Sequence, residues 1–254
     1  MADKGVLVVT GGSRGIGAAT SLLAAARGYK VVVNYAGNVP AAERVCAAIH
    51  AAGGEAVAVR GDVADPADVA HIFAAADRMG RLAGLVNNAG VVPGRAMRVD
   101  DTPLDEMTRM FQINVTGTFL CSAEAVKRMS TRHGGMGGAI VNLTSAAAKL
   151  GGAGNAVIYA ASKGAIDSFT IGFALEVAGE GIRVNAVRPG IIETEMHASG
   201  GDPGRVARIA PTLPMPRAGT AEEVAQAILW LLSDEASYST GTTIDVTGGR
   251  AIVP

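Results

Sequence analysis

The chain has 254 residues, a formal net charge of −1 and 49% apolar side chains. Near-neutrality excludes the basic footprint of a nucleic-acid binder or of a protein held on an anionic membrane, and no apolar run is long enough to span a bilayer. Aromatic residues reach only 4%, so a core has to be assembled from Ala, Val, Ile and Leu.

The opening residues, MADKGVLVVTGG, run straight into a Val-rich strand with no signal-like stretch. Cys46 and Cys121 sit in apolar, helix-like segments with no metal spacing, and are expected to be packing residues. Together these features predict a soluble, cytoplasmic protein. In chain order the pattern predicts strand Val6–Thr10, helix Gly15–Arg27, strand Lys30–Asn34, helix Pro40–Ala52, strand Ala56–Arg60 and helix Asp65–Met79, the last opened by an Asp-Pro pair. Strand Gly84–Asn88 follows, then a long helical region from about Pro103 to Arg132 and strand Ala139–Thr144. Helix Ala156–Ala178, strand Arg183–Arg188, helix Ala221–Ser233 and strand Thr243–Val246 complete the order. Continuously apolar strands alternating with helices predict an α/β fold, a parallel sheet covered on both faces through right-handed crossovers. Without a linker or repeat, residues 1–254 read as one domain. Two segments break the rhythm. HGGMGG (133–138) is a glycine loop before a strand, and residues 193–219, rich in Gly and Pro, have the length and composition of a substrate lid.

VLVVTGGSRGIG places Thr10, Gly11, Gly15 and Gly17 between the first strand and the first helix. Glycines there permit a tight turn and let backbone N–H groups approach a pyrophosphate at a helix N-terminus. Ser13 and Arg14 lie inside the loop. The second strand ends in Asn34 and Tyr35, and no carboxylate follows until Glu43. An NAD site of this kind usually carries an acidic residue at that point. Its absence, with a guanidinium at Arg14 able to grip a 2′-phosphate, favours NADP(H) over NAD(H). After the third strand, Asp62 and Val63 either cover an adenine or, for Asp62, cap a turn.

TGGSRGIG (10–17), NNAG (87–90), Asn114 in INVTG, Ser145 in IVNLTS, YAASK (159–163) and RPG (188–190) occur in the order and spacing of one family. Over essentially its whole length the chain resembles the short-chain dehydrogenase/reductases. The resemblance implies a single-domain Rossmann fold with a doubly wound sheet of about seven strands. It also implies a homo-oligomer, usually a homotetramer, in which the helices ending near Arg132 and Ala178 meet their symmetry mates. Gly11, Gly15, Ile16 and Gly17 are then expected at the pyrophosphate, and Asn88, Ala89 and Gly90 along the adenosine ribose. Pro189, Gly190, Ile192 and Thr194 would border the nicotinamide. Ser145, Tyr159 and Lys163 would form the catalytic set, with Asn114 holding a water that relays protons to Lys163.

The residue chemistry agrees. Ketone reduction needs a hydride on carbon and a proton on oxygen. A phenol titrates near 10, and a neighbouring cation favours its phenolate. Residues four apart share a helix face, so Lys163 lies one turn from Tyr159. Ser145 ends a buried strand, where open α/β sheets bind ligands. The histidines, His50, His71, His133 and His197, are scattered and suggest no metal site. His197, Glu193, Glu195 and Met196 fall in the lid segment, where they either line the pocket or cap a lid helix.

Two branches of the family are most similar, the 3-oxoacyl-carrier-protein reductases and the glucose 1-dehydrogenase-like sugar dehydrogenases. Lys127, Arg128 and Arg132 form a small basic cluster that could meet an acidic carrier protein, whereas Leu175 stands before Glu176–Val177 where that branch often has a basic residue. The expectation is therefore an NADP(H)-dependent carbonyl/alcohol oxidoreductase acting on a small molecule. A non-catalytic NADPH-binding regulator is the reading from another class. The run after Ser145, AAAKLGGAGN, predicts a roomy pocket with few polar anchors.

Overall fold

A computed structural model describes residues 3–153, 156–195 and 201–251. Its first strand, β1 (Val6–Val9), is wholly buried. Val6 and Val8 face one helical layer while Leu7 and Val9 face the other, as the two-residue period of a strand requires. The remaining strands are β2 (Lys30–Tyr35), β3 (Ala56–Arg60), β4 (Leu82–Asn87), β5 (Gly138–Leu143), β6 (Ile182–Pro189) and β7 (Thr243–Val246). They pair in the order β3-β2-β1-β4-β5-β6-β7, every pair parallel. The order reverses between β1 and β4, and a crevice opens there at the carboxyl ends of the strands.

On one face lie α1 (Gly15–Ala26), α2 (Val39–Ala51) and α9 (Ala221–Leu232), packing Ala24, Val45, Ile49, Ile228 and Leu231 against the sheet. On the other lie α3 (Pro66–Met79), α5 (Gly117–Met129) and α7 (Val157–Val177), which contribute Ile72, Phe73, Cys121 and Phe173. Burying a side chain such as Phe73 completely stabilises by about 1.5–3 kcal/mol. Helix starts follow local chemistry. The Asp65 carboxylate accepts from Ala67 and Asp68 N–H with Pro66 in the first turn, and Thr220 with Glu223 forms a reciprocal capping box before α9. Both cysteines are buried.

The structure adds detail to the predicted elements in four places. The helical region from 103 to 132 is not one helix: α4 (Leu104–Phe111) and α5 are joined by a single wide π turn over Gln112–Thr116. Such turns are frequent at functional sites, and this one holds Asn114. The HGGMGG loop ends α5. Gly137 N–H donates to Met129 O at 2.7 Å, and a methyl group on Gly137 would lie 2.4 Å from Gly181 O. The lid segment contributes α8 (Arg205–Ile209), and its end is tied down by Met215 N–H to Gly248 O (3.1 Å) and Gly219 N–H to Ile191 O (2.9 Å). Met196 and His197 lie outside the described residues. A short helix missed in the sequence, α6 (Ala147–Leu150), follows Ser145.

The small basic cluster at the end of α5 is neutralised. Lys127 pairs with Glu124 (2.6 Å), Arg128 with Asp77 (2.7 Å) and Glu124 (2.6 Å), and Arg132 with Glu180 (3.9 Å). Among the described residues, no helix is long and apolar enough to cross a membrane.

Candidate active site

Two adjoining cavities, of about 430 and 450 Å³, open at the carboxyl ends of the strands and share Ile16, Asn88, Gly90, Val92 and Thr194. The glycine loop between β1 and α1 walls the second. A methyl group on Gly17 would lie 2.2 Å from Gly11 O, so the first turn of α1 sits directly on the loop backbone. Asn88 braces the same loop by donating to Thr10 O (2.9 Å) and Gly11 O (3.0 Å). Asn34 lines the cavity, but its amide is committed to main chain: it accepts from Gly11 N–H (3.2 Å) and donates to Gly61 O (2.9 Å).

Gly11, Ser13, Arg14, Gly15, Tyr35, Asp62, Val63 and Ala89 complete the expected set around this cavity. Asp62 caps a turn by accepting from Ala64 N–H (3.0 Å), while its other oxygen takes Arg109 at 2.5 Å. Burial would raise the Asp62 carboxyl, but Arg109 and the turn N–H prevail and hold it below the usual carboxylate range. Arg14 pairs with Glu195 at 3.3 Å, both exposed. Glu195 thus lines the glycine-loop cavity and not the Tyr159 pocket.

The first cavity holds Tyr159, Lys163 and Ser145 together with Pro189, Gly190, Ile192 and Thr194. Lys163 is 4% exposed, donates to Leu143 O at 2.7 Å, and has its Nζ 5.8 Å from the centre of the Tyr159 ring. Burial lowers the ammonium to about 8, against an opposing pull from Asp167. Enclosure raises the Tyr159 phenol above its ordinary value, and its interaction with the Ser145 hydroxyl pulls it back. Ser145 is itself oriented by accepting from Ala147 N–H at 3.1 Å, at the start of α6.

Asn114 is 1% exposed. Its Oδ1 accepts from Val91 N–H (2.8 Å), and its Nδ2 donates to Val91 O (3.0 Å) and Ser162 Oγ (3.1 Å). The side chain thus clamps the loop after β4 to α7. Gly90 lies between it and Lys163: a methyl group there would be 3.3 Å from Asn114 Oδ1 and 3.5 Å from Lys163 Nζ.

An Escherichia coli relative, "uncharacterized oxidoreductase YgfF", is 55% identical over 246 residues, covering 96% of this chain and 99% of that one. A short-chain dehydrogenase from Burkholderia cenocepacia, solved in complex with NADP, is 31% identical over 98% of this chain and 99% of its own, with a TM-score of 0.89. A family model described as enoyl-(acyl carrier protein) reductase matches residues 11–251. The chain belongs to the short-chain dehydrogenase/reductase family. It is similar as well to a Synechocystis 3-oxoacyl-[acyl-carrier-protein] reductase, 41% identical over 250 residues and 97% of each chain. The short-chain dehydrogenase/reductases are oxidoreductases, and so is this chain.

Two groups of residues went unread in the sequence. Behind Lys163, Asp167 accepts from Arg188 (2.8 Å), Arg188 reaches Asp245 (2.5 Å), and Asp245 takes Lys149 of α6 (2.7 Å). The i, i+4 spacing of Lys163 and Asp167 was available as a signal; their partners on β6 and β7 were not. Arg95, Arg205 and Arg250 line the Tyr159 cavity. They correct the expectation of a pocket with few polar anchors, which rested on the single run after Ser145.

Proposed function

We propose that this short-chain dehydrogenase/reductase interconverts carbonyl compounds and secondary alcohols with NADP(H), Tyr159 serving as general acid and base. The observation that carries the reading is the placement of Tyr159, Lys163 and Ser145 in one cavity adjoining the glycine-loop cavity. The fit to a nicotinamide dinucleotide rests on shape. Gly11 and Gly15 leave backbone exposed where a pyrophosphate would lie, Gly17 lets the first turn of α1 pack on that loop, and Pro189, Gly190, Ile192 and Thr194 stand where its nicotinamide end would reach. When bound, the cofactor supplies or accepts the hydride.

The chain's own residues do the rest. Ser145 holds the substrate oxygen. Tyr159, protonated at neutral pH, delivers a proton to that oxygen in reduction. Lys163 sets a positive charge beside the phenolate left behind, and Asn114 fixes the strand end and helix that carry this machinery. Arg14, with no acidic residue at the end of β2, supports a 2′-phosphate partner and hence NADP(H). The outer faces of α5 and α7 expose Phe119, Ile171 and Leu175, which supports a homo-oligomer. The segment from 193 to 219 is proposed as the substrate lid. The Synechocystis relative favours a second reading, 3-oxoacyl-carrier-protein reduction, against which stand the neutralised basic residues of α5.

The test is NADPH oxidation by the purified protein across aldehydes, ketones, sugars and 3-oxoacyl thioesters. Tyr159→Phe should bind NADPH normally and lose at least about a hundredfold in kcat. Near-normal turnover in that variant would remove Tyr159 from the proton transfer, and NADPH binding with no turnover of any carbonyl would mark a regulator.

A further inference from the structure

Three arginines that are far apart in sequence converge on the Tyr159 cavity. Arg95 follows β4, Arg205 begins α8, and Arg250 follows β7. The convergence is built by the fold. Met215 N–H donates to Gly248 O, and Gly249 lies against Pro214, so the end of the lid and the turn before Arg250 are packed together. All three line the chamber of Ser145 and Tyr159 and not the glycine-loop cavity, where Arg14 and Arg109 stand, while Arg95 also borders a third cavity beside Arg98 and Asp101.

Two of them crowd each other. The Arg250 guanidinium is lowered from its ordinary value, first by burial and then by the charge of Arg205. Two guanidinium groups on one partly dry wall present a ready seat for an anionic substrate group. The same lining also holds Asp202, which pairs with Arg208. The other walls, among them Val92, Pro93, Leu150 and Ile191, are apolar. The chamber is thus a carbonyl-reducing end, an apolar middle and a cationic flank.

We infer that the substrate is an oxo acid, its carbonyl at Ser145 and Tyr159 and its carboxylate gripped by Arg205 and Arg250. A guanidinium presents parallel N–H donors that match the two oxygens of a carboxylate. The inference rests on the proposed carbonyl reduction and adds to it the chemical class of the substrate.

The experiment compares straight-chain oxo acids, with carbonyl and carboxylate two to five carbons apart, with their methyl esters, using NADPH. The best acid should exceed its ester in kcat/KM by about tenfold or more, the usual strength of a hydrogen bond to a charged group. Arg250→Gln and Arg205→Gln should each collapse that acid-to-ester ratio, and Arg250→Lys should restore part of it, since an ammonium keeps the charge but not the fork. A ratio near one in the parent protein overturns the inference. So does a 3-oxobutanoyl thioester that outperforms every acid, or a loss of NADPH affinity in Arg250→Gln with the ratio intact.

Binding is read separately, by calorimetric titration of hexanoate and hexanamide into the NADPH-saturated protein. Hexanoate alone should bind, and Arg250→Gln should abolish its binding. If hexanoate binds through Arg250 but no carbonyl is reduced, the proposed function fails and the anion site stands. If neutral ketones are reduced while acids are neither preferred nor bound, the anion site fails and the proposed function stands.

Discussion

At Lys163 the cost of burial and the needs of proton transfer meet in one side chain. Its ammonium titrates near 8 in the folded chain and at 10.5 ordinarily. Between these values the unfolded chain holds a proton that the native one has lost. Burial of this lysine therefore weighs against the fold below about pH 8, and that penalty relaxes as pH rises toward 10.5. Activity follows the opposite sign. Carbonyl reduction should hold steady up to about pH 8 and fall above it, as the positive charge beside Tyr159 is lost. Asp167 faces Lys163 from the same helix and is held by Arg188 of β6. Asp167→Asn should move the break in kcat/KM to lower pH, whereas an unchanged profile would make Asp167 structural only. At the other cavity, Arg14→Ala should weaken NADPH by about tenfold or more and leave NADH nearly unchanged. Glu195→Gln, by releasing Arg14 from an exposed ion pair, should strengthen NADPH by less than about fivefold. Equal losses for the two cofactors in Arg14→Ala would sink the 2′-phosphate assignment.

Among the elements, α1 shows how two opposed effects of one glycine are weighed. Replacing Gly17 by Ala gains about 1 kcal/mol of helix propensity. The added methyl group, however, would sit 2.2 Å from Gly11 O and 2.6 Å from Asn88 Nδ2, and the first of these is backbone. The loop must move, so Gly17→Ala should raise the NADPH Kd by at least about tenfold while the circular dichroism stays native. Unchanged affinity would show that the loop does not shape the site. This loop, the succession of strands along the chain and the Tyr–Lys spacing were legible because each is local: a glycine pattern, an apolar run, a four-residue step on a helix. The π turn was not. A helix of 3.6 residues per turn and one with a single wide turn carry nearly the same apolar periodicity over 103–132, and Asn114 is fixed by Val91 and Ser162 from other elements. Arg95, Arg205 and Arg250 were missed for the same reason. Their common cavity exists only once the segment around Met215 packs on the turn after β7, a contact between segments more than thirty residues apart.

For the molecule as a whole, the surface that the sheet and its helices leave uncovered is the informative part. Leu175 is 77% exposed on α7, one turn beyond Ile171 at 53%. Phe119 of α5, 46% exposed, stacks on Phe169 of α7 with ring centres 3.9 Å apart. Aromatic and aliphatic side chains gathered on two adjacent helices mark an association surface more readily than scattered ones would. If a second copy covers it, Leu175→Glu places a charge where an apolar contact is needed and should shift the protein to a smaller species in sedimentation at micromolar concentration. The isolated fold should barely notice, because a surface substitution away from caps and ion pairs usually changes stability by no more than about 0.5 kcal/mol. The separation of the two readouts is the strength of the test. A smaller species with an unchanged melting midpoint at high dilution assigns Leu175 to the interface. A parent protein already monomeric at that concentration would instead leave α5 and α7 as an ordinary solvent face, and the homo-oligomer reading would fall.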